Sequence, residues 1–373
     1  MSAAYWRRAM NSGTASAPAS TPAGQRPGSW RAPEGEAAPR VEFTSIPSAG
    51  RVIQWLVLGV LLLYPLFASP FFTYQILGQS LVLGLVALSL TLLAGYGGMV
   101  SLAQMTVAGI AGYSIAIFGT SAVVETSLGW PWWMAVILAV LIATIAAAFI
   151  GWLSVRTEGI YTIMITLAIG VAFYYLCMQN YSLFNGFAGF QKVQAPEAFG
   201  IDWKLPSPFY YLALGCALAG YLFVLYLVRT PFGLALQGVR DNPRRMNALG
   251  FDVTAHRVAA YAVAGFIAAV GGVLLVWYSG LVVPGSIGTG AMLKILIIAV
   301  LGGLRHPIGA FLGALVYVLL QTFAMDALGD NHRDRYNLVI GGVFLFIVAF
   351  SPDGILGWWE ALRRRATRGR SAG

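Results

Sequence analysis

From residue 52 onward the chain alternates between apolar runs and short polar breaks. Ten runs stand out: 52–69, 73–94, 98–121, 131–154, 160–180, 208–228, 257–280, 291–304, 307–325 and 336–350. Most approach the ~20 residues that a helix needs to cross a ~30 Å hydrocarbon layer. The pattern therefore predicts about ten transmembrane helices, surrounded by lipid, in a membrane domain over 51–357. Residues 1–50 carry no such pattern. They are dominated by Ala, Pro, Ser, Gly and Arg and are expected to form a disordered cytoplasmic tail. No apolar stretch follows Arg7 and Arg8 at the distance of a secretory signal. Residues 358–373 read as a second, basic cytoplasmic tail with Arg363, Arg364, Arg365, Arg368 and Arg370.

Composition narrows the class further. Of 373 residues, 58% are apolar and 10% charged, against roughly 25% charged in a soluble domain; a water-soluble fold is excluded. The net charge of +9 comes from 20 Arg and three Lys. Alternating the ten runs across a membrane, with the N-terminus inside, places 18 of these basic residues in cytoplasmic segments and four outside. That is the asymmetry of the positive-inside rule. Removing the run 98–121 would put the Arg-rich stretch 229–257 outside. The predicted fold class is thus all-α, a polytopic membrane helix bundle with both termini cytoplasmic, and the positive charge marks topology, not nucleic acid. Cys177 and Cys216 both lie in apolar runs, as small packing residues do.

Two runs are abnormal for a simple span. The stretch 93–113, LAGYGGMVSLAQMTVAGIAGY, is rich in glycine and carries Ser101, Gln104 and Thr106. The run 291–304 is short and turns through Arg305, His306 and Pro307 into the next. Interrupted helices free backbone groups that can line a passage, although small residues equally serve close packing. Gly95, Gly97, Gly98, Ser101 and Gln104, with the polar row Tyr161, Thr162 and Thr166, are the candidate lining of a translocation pathway.

The chemistry available is sparse. The ten runs hold no Asp or Glu, the side chains with which many ion-coupled carriers hold a cation or a proton. Sodium sites built from backbone carbonyls would escape that test. None of the three lysines follows a glycine, so G-x-x-x-x-G-K-[ST] is absent. His256, His306 and His332 have no companion at metal-ligand spacing. No catalytic residue, metal or cofactor is expected, and energy for active transport would enter through another subunit. Lys294, the one charge inside a run, is expected to snorkel towards the outer surface.

The loop 228–261 is the natural inlet for that energy. Asn242 is placed to cap a helix, Pro243 to open it and Gly250 to end it. A helix of some seven residues is too short to persist alone, so it must dock. Arg240, Arg244 and Arg245 suit an acidic or hydrogen-bonding groove, and Met246 and Leu249 supply apolar contact; anionic lipid would also accept such a helix.

Taken together, LAGYGGMVSLAQMTVAGIAGY (93–113), RTEGIYTIMITLAIG (156–170), RTPFGLALQGVRDNPRRMNALGFDVTAHRVAAY (229–261), VLGGLRHPIGAFLGALVY (300–317) and SPDGIL (351–356) give the chain its clearest likeness. Over roughly 75–357 it resembles the permease subunits of branched-chain amino-acid ABC importers, in particular the LivM-like branch. The resemblance implies an inner-membrane assembly with a homologous second permease subunit, two cytoplasmic ATP-binding subunits and a periplasmic substrate-binding protein. It also implies that the helix Pro243–Leu249 is the coupling helix, with Arg240, Asp241, Asn242, Arg244, Arg245 and Gly250 forming the ATPase-coupling segment. The chain departs from the family in having Lys294 where an acidic residue is usual, Arg305-His306 where residues are usually small, and a long N-terminal tail. Aliphatic amino acids are the expected solutes, with urea or short amides compatible with the same apolar lining. Outer loops 181–206 and 281–290 would receive the binding protein.

Overall fold

Proline and asparagine punctuate the helices as much as hydrophobicity fills them. The structure, a computed structural model, describes residues 59–328 except 66, 68, 122–126, 158, 194, 199 and 200, together with 341, 342, 345, 354, 355 and 357. The predicted tails 1–50 and 358–373 and most of the run 336–350 lie outside the described residues. Of the run 52–69, residues 59–65 and 67 are helical, and this stretch is tied to the rest by Tyr210 and Tyr211, whose hydroxyls donate to the carbonyls of Leu61 and Leu62 at 2.8 and 3.1 Å.

Eight predicted runs fall on helices. These are α1 (Phe72–Tyr96), α2 (Gln104–Phe118), α3 (Trp132–Ser154), α4 (Ile160–Gln179) and α5 (Pro206–Arg229), then, after two short helices, α8 (Val253–Ser279), α9 (Thr289–Gly302) and α10 (Pro307–Leu328). The short pair is α6 (Pro231–Asp241) and α7 (Pro243–Ala248). Among the described residues, six segments are long and apolar enough to cross a membrane: α1, α3, α4, α5, α8, and α9 together with the turn before it from Pro284. The helix α2 and residues Pro307–Phe323 of α10 are apolar but shorter. The protein is a polytopic helical membrane protein. One boundary departs from expectation: the run 98–121 is helical only from Gln104 to Phe118, because Gly97 and Gly98 break the helix. Another extends: α10 continues past 325 to Leu328 and so takes in Asp326.

The core is built on α1 and α8. From Val82 to Leu93 every residue of α1 is buried, as befits a helix that is apolar on all sides. α8 packs against α1, α2 and α3, and α10 and α9 close over the other flank of α1. Small residues allow these helices to touch. On α3, Ala135, Ala139, Ala143 and Ala147 form an i, i+4 stripe buried in the protein, and a Cβ on Gly265 of α8 would land on the Ala147 side chain. A Cβ on Gly272 would strike the Ala108 backbone of α2. In lipid, where apolar surface gains nothing from leaving its solvent, such close contact is what holds helices together. Ile137, Leu141, Ile145 and Phe149 of α3 are exposed.

At one end of the bundle, two loops meet. Strand β1 (Phe190–Gln191) pairs antiparallel with β4 (Leu281–Val282), while β2 (Glu197–Ala198) pairs with β3 (Ile201–Asp202). Phe190 is fully buried, edge-on to Tyr113, which also meets Phe173 and Phe184 edge-on. This aromatic knot joins the 181–206 loop to α2 and α4, and the β1–β4 pairing ties it to the loop that follows α8.

The glycine–alanine seam yields a stability prediction. Gly265→Leu should lower the unfolding midpoint in detergent by an amount equivalent to about 1–3 kcal/mol. Ile145→Ala, on the outward face of α3, should leave it nearly unchanged. Differential scanning fluorimetry of the purified chain reads both.

Candidate functional site

The Pro-punctuated stretch after α5 builds a three-step arm. Thr230, extended before Pro231, closes α5 and caps α6, its hydroxyl oxygen accepting from the Gly233 amide at 3.4 Å. Asn242, extended before Pro243, ends α6 and caps α7, its side-chain oxygen accepting from the Arg245 amide at 3.0 Å. Gly250 takes a positive φ of 89°, and Asp252 caps α8 by accepting from the Ala255 amide at 3.0 Å. The predicted helix is therefore present, one residue shorter than read from sequence. It rests on α6 through Met246, which packs over Gly238. Its outer face is bare: Arg240, Asp241, Asn242, Arg244, Arg245 and Gly250 are exposed, and Leu249 is 66% exposed.

This arm is fastened to the broken span. Arg240 pairs with Asp241 at 2.9 Å, and its Nη1 donates to the Gly95 carbonyl at 2.6 Å across 145 residues of sequence. Its stem crosses Gly98, whose φ of 67° and lack of a side chain are both required there. Leu236 of α6 lies beside Gly97. The spacing rule that nominated Arg240 for an external groove did not reveal this internal contact.

Beyond Gly98 the break is closed by hydrogen bonds. The Met99 amide donates to the Leu93 carbonyl at 3.0 Å, the Leu102 amide to Thr166 Oγ1 at 3.1 Å, and the Ala103 amide to Ser101 Oγ at 3.3 Å. Ser89 of α1 donates to Gln104 Oε1 at 3.0 Å. Ser101, Gln104 and Thr166 are brought together and are almost fully buried. Thr162 turns back to the Thr157 carbonyl at 2.9 Å. Tyr161 does not join the row; it is 69% exposed. Gly95 faces the Leu304 backbone, with no space for a side chain.

The open volume lies elsewhere. A cavity of about 510 Å³ is walled by Leu83 of α1, Met105 and Gly109 of α2, Val276 of α8, Ile287 of the following loop and Ile297 of α9, within the size range of small-molecule sites. Its polar wall comprises Gln79, Ser279, Ser286 and Lys294. None of the eight predicted pathway residues lines it. Lys294 does: its ammonium sits 5.7 Å from the centre of the Tyr317 ring, which also lines the cavity. The signal that could have found this site was the lone charge in an apolar run, which in a membrane marks function by default.

Comparison with known proteins follows the same lines. The family described as branched-chain amino acid transport system / permease component matches residues 72–348. The chain is 24% identical over 303 residues to the high-affinity branched-chain amino acid transport system permease protein LivM of Salmonella typhimurium, covering 75% of this chain and 66% of that protein. It is 24% identical over 311 residues to the corresponding protein LivH of Escherichia coli, covering 78% and 96%. With BraD of Pseudomonas aeruginosa it shares 32% identity over 133 residues, 36% of this chain and 42% of that one. The chain thus spans just under two thirds of the LivM relative's length. No solved structure matches it.

The Arg240 contact is open to a direct test. Arg240→Met should lower hydrogen-exchange protection of the 97–103 amides about fivefold, the effect of losing about 1 kcal/mol of hydrogen bonding. Arg244→Met, on the bare face of α7, should leave those amides unchanged.

Proposed function

The chain belongs to the family of permease components of branched-chain amino acid transport systems, and from that premise we propose that it is one of two homologous permease subunits of an ATP-driven importer for aliphatic amino acids. It works in the inner membrane with ten spans and both termini in the cytoplasm. Two cytoplasmic ATP-binding subunits drive it, and a periplasmic binding protein delivers solute.

One observation carries this proposal: a capped, arginine-bearing helix with a bare outer face, fastened at its root to the broken span. Arg244, Arg245 and Leu249 present mixed polar and apolar contacts to a groove on an ATP-binding subunit. Motion of the arm reaches Gly95 through Arg240 and α6. The loops 181–206 and 281–290 lie at one end, joined by β1 and β4, as a shared outer docking face for the binding protein requires. The cavity adjoins that loop pair, since Leu281, Val282 and Gly285 are part of its wall. In alternating access it is the outward chamber, and the hydrogen-bonded segment Gly95–Gln104, held by Thr166, is its closed floor. Tyr161 lies on the outer face of α4, where the homologous permease packs. Only an arrangement with two packed states can turn a push on α7 into a change of access.

Arg244→Glu with Arg245→Glu should abolish uptake and the stimulation of ATP hydrolysis by the loaded binding protein, with membrane insertion intact; normal uptake in that variant would remove the coupling role. Single cysteines at Gln191 and Asn247, both exposed, should label from opposite sides of the membrane. Labelling from the same side contradicts ten spans.

A further inference from the structure

An ammonium inside an apolar helix is costly unless a charge or a polar wall meets it. Lys294 has the face of Tyr317 beneath it at 5.7 Å, and an aromatic face offsets only part of that cost. Among the described residues no carboxylate lines the cavity or pairs with Lys294. The remaining wall divides by chemistry. Leu83, Met105, Val276 and Ile297 make an apolar side. Gln79, Ser279 and Ser286 supply oxygens that accept hydrogen bonds, the two serine hydroxyls already donating to backbone carbonyls at 2.7–2.9 Å and so presenting lone pairs. One fixed cation, a set of acceptors and an aliphatic wall match a small carboxylate with an apolar body and an amine.

We propose that the cavity is a solute-binding site in which Lys294 pairs with the carboxylate, Gln79, Ser279 and Ser286 receive the ammonium, and the apolar wall holds the aliphatic side chain. This rests on the transport function proposed above and adds to it the place where the solute binds and an anchoring residue. A neutral amide or urea leaves Lys294 without a counter-charge and binds less well. Specificity of this kind comes from the group left unpaired by the wrong ligand.

The test uses the assembled importer in membrane vesicles. Ala291→Cys, in a chain carrying Cys216→Ala, puts a thiol on the cavity wall one turn from Lys294. Its maleimide labelling is followed with leucine, with 4-methylpentanoate (carboxylate without amine) and with leucinamide (amine without carboxylate) at equal concentration. Leucine and 4-methylpentanoate should slow labelling severalfold and leucinamide should not. Lys294→Met should abolish the protection and Lys294→Arg should retain it. Leucinamide protecting as well as leucine overturns the proposal, as does full protection in Lys294→Met. The ranking of the three probes on the Lys294 chain decides even where Lys294→Met fails to insert. Leucine uptake, measured in parallel, separates the two levels: uptake without protection by any probe overturns this site alone. Protection by the carboxylates without leucine uptake upholds the site and overturns the transport function.

Discussion

A helix that breaks inside a membrane exposes backbone N–H and C=O groups to a medium with nothing to bond them, and every such group must find its partner within the protein. That constraint governs the segment between α1 and α2. The amides of Met99, Leu102 and Ala103 turn to Leu93, Thr166 and Ser101, and the Gly95 carbonyl accepts a hydrogen bond from Arg240. Each partner comes from a different place: the same helix, α4, the loop itself, and the arm at the end of the bundle. The break is stable only while all four are in position.

Much else in the fold serves to bring those partners together. The alanine stripe of α3 and the glycines of α8 draw backbones close enough to fix the core without bulky interdigitation. The aromatic knot around Tyr113 and the β1–β4 pairing fix the opposite end. The cavity has Gly109 of α2, Gly272 of α8 and Gly290 of α9 in its wall. The bonded break and the cavity are adjacent in sequence: Gln104 is bonded at the break while Met105 lines the cavity.

The short helix of the arm was legible from Asn242-Pro243 and Gly250, which act through local geometry, so their positions in the chain suffice to predict its cap and stop. The helix α6 and the caps at Thr230 and Asp252 act just as locally but were not read from the sequence. The glycines at 95–98 were equally visible as a break. Their purpose was not, because it depends on Leu304 and Arg240, which are some 200 and 145 positions away. Tyr161 was grouped with Thr162 and Thr166 by proximity in sequence, whereas one step around a helix turns a side chain by about 100° and leaves Tyr161 on the outer face.

Residue order alone was enough for the membrane class, the helix α7 and the family, since hydropathy, capping and motif order are properties of neighbours along the chain. Which glycines pack and which close a turn, where open space remains, and that Lys294 faces that space beside Tyr317 were decided by the tertiary structure. Cavities and long-range hydrogen bonds are made by helices that are distant in sequence, and no local pattern specifies which of them meet.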